Sequence, residues 1–92
     1  MRQFQNNTFK YLEGVLNRRA KDLKLSDNKR IMAMGVLYRG DGPKLWNKNH
    51  PLSQAFFNGT DKDFSNAISN YYINNNLKER ANRHNKFWKG KL

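Results

Sequence analysis

The 92-residue chain carries eighteen Lys and Arg against seven Asp and Glu, giving a formal net charge of +11 and a pI near 10.3. It has no cysteine, which excludes disulfides, thiolate zinc sites and cysteine nucleophiles together. Its longest apolar run is "IMAMGVLY", well short of the roughly eighteen residues that a membrane span requires.

The mean hydropathy of −1.03 is low, but aromatic residues make up 13% of the chain, and disordered chains are poor in aromatics. The expectation is one small folded domain over residues 1–92. The opening "MRQFQNNTFK" has no apolar core of the kind a signal peptide needs, so a cytoplasmic location without membrane insertion is expected. Folding does not require so large a positive excess, and self-repulsion opposes compaction. A polyanionic partner is the simplest physical reason for it.

In chain order, Phe9, Leu12, Leu16, Ala20 and Leu23 follow helical spacing and predict a first helix over about residues 8–24. Asn7 or Thr8 can cap its start. Gly14 costs that helix about 1 kcal/mol relative to Ala. Lys10, Arg18, Lys21 and Lys24 fall on the face opposite the apolar stripe.

Ser26 can cap a second element, "DNKRIMAMGVLYRG". Its apolar run is continuous, so periodicity does not separate a buried helix from a buried strand. The capping residue and the Met-Ala-Met sequence favour helix. The stretch "RGDGPKLWNKNHP" reads as a loop, with Asp41-Gly42 as a turn and Trp46 plugging the loop onto the core.

Pro51 suits the first position of a short helix and Gly59 its end. Thr60, followed by Asp61 and Asp63, suits the start of the next helix. Phe64, Ala67, Ile68, Tyr71 and Tyr72 keep its spacing. At Asn74-Asn75-Asn76 the apolar face shifts. Asn is a weak helix former but not a breaker, so one continuous helix is expected across the triplet. The fold class is all-α, a compact domain of four to five helices ending in a basic amphipathic helix.

On a wheel of ~100° per residue, Leu77, Ala81, His84 and Trp88 form a packed edge of that last helix. Lys78, Arg80, Arg83, Lys86, Lys89 and Lys91 occupy the broad remainder, with Arg83, Lys86 and Lys89 forming a ladder. Phe87 points into this cationic face. An aromatic among cations suits single-strand binding, where rings stack on bases and cations meet phosphates; it also suits packing on a neighbour. Cations in the last turn favour the helix dipole, which accounts for Lys89 and Lys91 but not for Arg80 or Arg83.

With two His and no Cys, a metal site lacks ligands. His50 reads as a capping or loop residue and His84 as a packed one. No cofactor, no catalytic residue and no nucleophile motif stands out. The function expected is a small basic nucleic-acid-binding accessory protein contacting the phosphate backbone of DNA or RNA. Its main cationic set would be Lys78, Arg80, Arg83, Lys86, Lys89 and Lys91, with Phe87. Lys10, Arg18, Lys21 and Lys24 would extend the set if the first and last helices are adjacent. The alternative is a small regulator or inhibitor, of mobile-element or viral type, docking its basic face on an acidic protein. A small basic nuclease, which needs only a few scattered groups, ranks third.

Overall fold

The computed structural model describes residues 2–92, with side chains from Lys10 onward. Six α-helices follow in order: α1 (Arg2–Arg19), α2 (Asp27–Tyr38), α3 (Gly42–Trp46), α4 (Pro51–Asn58), α5 (Asp61–Asn74) and α6 (Lys78–Trp88). No strand occurs among the described residues, and no described helix is long and apolar enough to cross a membrane. The all-α expectation therefore holds, and the continuous run "IMAMGVLY" is helical.

The starts and stops are mostly those that the local chemistry dictates. Ser26 Oγ accepts from the Lys29 N–H at 3.1 Å and caps α2. His50 Nδ1 accepts from the Leu52 N–H at 3.1 Å, with Pro51 in the first turn of α4. Thr60 and Asp63 form a reciprocal capping box at α5, with bonds of 3.0 and 3.1 Å. Gly59 sits where a Cβ would come within 2.8 Å of both the Ala55 carbonyl oxygen and Asp63 Cβ. Only glycine lets α4 turn so tightly into α5. The Lys29 Nζ donates to the Gly59 carbonyl at 2.6 Å, and Ser26 Oγ donates to the Asp61 carboxylate at 2.7 Å. The start of α2 is thereby tied to the α4–α5 corner.

Packing runs α1 on α2, α2 on α3 and α5, α3 on α4, α4 on α5, and α5 on α6. Leu16, Leu45, Leu52, Phe56 and Phe64 are fully buried at the centre. Trp46 lies edge-on to Phe56 at 6.1 Å, and Phe56 meets Phe57 at 4.9 Å and Phe64 at 5.2 Å. Trp46 thus plugs onto the core as expected. Edge and tilted ring pairs of this kind add about 0.5–1.5 kcal/mol each beyond their burial. The result is one globule with a Cα radius of gyration of 12.8 Å, close to the ~12 Å expected for this length.

Five expectations need correction. The first helix spans Arg2–Arg19, not 8–24. Capping by Asn7 or Thr8 and the packing of Phe9 concern side chains outside the described residues. After Arg19 the chain turns, with the Leu23 N–H on the Ala20 carbonyl at 3.0 Å, so that Leu23 and Leu25 reach the core from the link. The stretch expected as loop contains a short helix, α3, with Pro43 in its first turn.

The Asn triplet breaks the final segment in two. Asn76 adopts φ 62°, the Leu77 N–H donates to the Tyr72 carbonyl at 2.7 Å, and the Asn76 N–H donates to the Ile73 carbonyl at 3.1 Å. That is a Schellman closure, with Asn supplying the left-handed residue. Six helices result rather than four or five. Finally, α6 stops at Trp88, so Lys89 lies past its end and the three-residue ladder is cut short.

Candidate functional site

A helix that carries a continuous apolar run must expose part of it in a domain this small. In α2, Met32, Ala33, Met34, Val36 and Leu37 are buried. Ile31, Gly35 and Tyr38, spaced i, i+4, i+7, form a line facing outward, with Ile31 56% and Tyr38 55% exposed.

Along this line runs a groove of about 330 Å³ between α2 and α6, floored by Ile68 and Tyr72 of α5. From α6 come Arg80, Arg83, His84, Phe87 and Trp88; from the α2 side come Ile31, Gly35 and Arg39. A second groove of about 560 Å³ continues over α2 toward α1, sharing Ile31, Gly35, Arg39 and Arg80 and adding Leu12, Met34 and Tyr38. The two make one trough over the exposed line of α2.

Arg39 stands just beyond α2, its guanidinium 5.5 Å from the Tyr72 ring centroid. Burial pushes the Tyr72 phenol up; the Arg39 and Arg80 cations pull it back, while the Asp41 carboxylate and Tyr71 add to the rise. Arg83 lines the same wall. No Asp or Glu lines the α2–α6 groove; Glu13 and Arg30 stand on the α1 side.

The helix that carries these groups is fixed to α5 by polar bonds through small residues. His84 Nε2 lies 2.8 Å from Ser65 Oγ, and Asn85 Nδ2 donates to Ser69 Oγ at 3.0 Å. Ser65 and Ser69 are buried and small enough to let α6 approach closely. Burial holds the His84 imidazole below its ordinary value, Ser65 opposes that shift, and Arg39 adds to it. His84 is a packed, neutral histidine.

Trp88 and Ala81 are buried beside it. Leu77, expected on the same edge, is 36% exposed because it lies in the α5–α6 closure and off the helical wheel. Phe87 is 54% exposed. Its ring stands edge-on to Trp88 at 5.0 Å, and Lys91 Nζ lies 3.8 Å from its centroid.

Of the cations singled out in the sequence, Arg80 and Arg83 enter the groove beside Phe87, and Lys91 caps the Phe87 ring. Lys78 shares a shallow depression with Arg80 and Arg83 at the start of α6, while Lys86 is exposed along the helix. Lys89 lines a separate depression with Lys62. Lys10 and Arg18 are exposed on α1, and Lys21 and Lys24 are exposed in the link after it. On the α1 side it is Leu12 and Glu13, not those cations, that face the trough.

Sequence reasoning missed Arg39, Ile31, Gly35 and Tyr38. Their signal was present in the i, i+4, i+7 spacing within the apolar run, but nothing local told which line of the helix would stay uncovered. The described residues contain no cluster of three or more His, Asp or Glu placed to hold a metal ion.

The chain matches no family model, no curated protein and no solved structure. The site therefore has to be read from its own chemistry.

Proposed function

We propose that this is a small nucleic-acid-binding protein that engages the phosphate backbone through the groove between α2 and α6. The observation that carries the reading is the gathering of Arg39, Arg80 and Arg83 around one open groove without a carboxylate among its lining residues. Guanidinium stays charged at any physiological pH and offers a planar fork of donors that matches phosphate oxygens. Gathering three such groups around one groove costs self-repulsion, which a bound polyanion reverses. In this reading α6 is the basic helix of the site: Lys78, Lys86 and Lys91 extend the cationic surface to either side of the three arginines.

The second reading keeps its own support. The α1–α2 part of the trough is lined by Leu12, Met34 and Tyr38 between Arg30 and Arg39, which suits an amphipathic helix with acidic edges from a protein partner.

The two readings separate on salt. If about five phosphates are neutralised, log affinity falls against log salt with a slope near −3.5 for a single strand or −4.5 for a duplex. Fluorescence anisotropy at three salt concentrations reads that slope. No binding of either polymer at low salt overturns the nucleic-acid reading and leaves the acidic protein.

A further inference from the structure

Resting on that nucleic-acid reading, we propose that the polymer is a single strand, laid across Gly35 between α2 and α6 with a base stacked on Phe87.

Gly35 is the first observation. It sits inside α2, where glycine costs about 1 kcal/mol relative to alanine. Two ordinary reasons for a helical glycine are absent. Its φ is not positive, since Gly40 and Gly90 are the positive-φ glycines among the described residues. A Cβ built on it meets nothing within 4 Å, so no neighbour in the fold demands its small size. Gly14 shares both features, so what distinguishes Gly35 is its place, where the missing side chain leaves the helix backbone open to close approach from outside. Gly35 lines both parts of the trough, at the middle of the exposed line of α2.

Phe87 is the second. More than half of this large apolar residue is exposed, at the wall of the groove that holds the arginines. Trp88 buttresses it edge-on and Lys91 stands over the ring, so the platform is fixed and one of its faces carries a cation. Rings flanked by cations are the recurring unit of single-strand recognition, stacking a base while the cations meet the adjoining phosphates.

The third is the character of the exposed line of α2. A surface reading only the phosphates of a duplex needs cations along its length. Here the exposed line of α2 is Ile31, Gly35 and Tyr38, which offers apolar contact to bases and, to a phosphate, only the Tyr38 hydroxyl. In a duplex the base faces are stacked on one another and cannot enter such a recess; in a single strand they are splayed out and can. Tyr38 lies seven residues beyond Ile31, about 10.5 Å along the helix, and adds an exposed ring on the α1 side of the trough.

The test compares a labelled short oligothymidylate with a duplex of equal length, at low salt, on four proteins: the unaltered chain, Gly35→Leu, Phe87→Ala and Gly14→Ala. Gly14 is the control for replacing a helical glycine. It too is helical with nothing within 4 Å of a built Cβ, but it lines neither groove. The unaltered chain is expected to bind the single strand about tenfold or more tighter than the duplex. Phe87→Ala should weaken single-strand binding by about 5- to 150-fold at an unchanged melting temperature. Gly35→Leu should block the trough and weaken it by about tenfold or more while the melting temperature holds or rises. Gly14→Ala should leave binding unchanged.

Equal binding of both polymers, with Gly35→Leu and Phe87→Ala like the unaltered chain, overturns the single-strand inference while leaving the phosphate reading in place. Failure of both polymers to bind overturns the reading itself.

Discussion

Phe87 and Trp88 are neighbours in sequence with opposite environments, one exposed and the other buried. Helical phase alone separates them, since ~100° per residue places Trp88 over the seam with α5 and turns Phe87 toward the groove. The same arithmetic sets Ala81 and His84 inward. His84 gives a prediction at this scale. Its folded imidazole titrates below the ordinary value of 6.5 because it is buried, and so does that of His50, through burial first and then Lys44, with Asp41 opposing. Between the folded and unfolded values the unfolded chain binds more protons, so folding is favoured as pH rises. The histidine contribution is therefore complete above about pH 6.5 and is lost as pH falls below it. Thermal melts between pH 7.5 and pH 5 should show a falling melting temperature, and His84→Gln should flatten that fall. Parallel curves for the two proteins would show that burial does not hold the imidazole neutral.

The elements divide into those that announce themselves and those that tertiary context decides. Ser26, Pro51 and Thr60 mark helix starts with side-chain or ring chemistry that acts within a few residues, and each stands where the sequence places it. The Asn74–Asn76 break is different, because asparagine is tolerated in helices and also in the left-handed region. Its consequence is the Schellman closure at Asn76, which turns α6 back against α5. Asn76→Gly should preserve stability, whereas Asn76→Ala should cost about 1 kcal/mol, because alanine lacks the local hydrogen bonding that eases a positive φ. Chemical denaturation of the two variants measures the difference; equal stability would mean that the backbone closure does not constrain this residue. The exposed line of α2 was the least legible element. Every residue from Ile31 to Leu37 other than Gly35 is apolar, so the pattern identifies a buried element but not its open side. That side follows from where α1, α5 and α6 come to rest, which no local pattern encodes. Arg39 was missed for the same reason: it lies just past the helix end, and packing against Tyr72 from a distant helix makes it part of the site.

Across the whole molecule, the charge of +11 was legible from composition alone, but its distribution was not. The cations of the last helix and those of residues 10–24 make one surface only if the first and last helices are adjacent. In the fold α1 packs on α2 and α6 on α5, and α1 turns Leu12 and Glu13 toward the trough rather than Lys10 or Arg18. Net charge attracts a polyanion at long range, and that attraction falls off over a Debye length of about 8 Å at physiological salt. The groove cluster, by contrast, should make direct contacts. The measurement that separates the two is a salt titration of nucleic-acid affinity on two triple variants with the same charge removed, Arg39→Ala with Arg80→Ala and Arg83→Ala, and Lys10→Ala with Lys21→Ala and Lys24→Ala. Melting curves confirm that both fold. The arginine triple should lose most of the affinity and make the slope of log affinity against log salt shallower by about two, while the lysine triple keeps a slope close to that of the unaltered chain. If the two triples lose affinity equally and share one slope, binding follows total charge, and the groove between α2 and α6 is not the site.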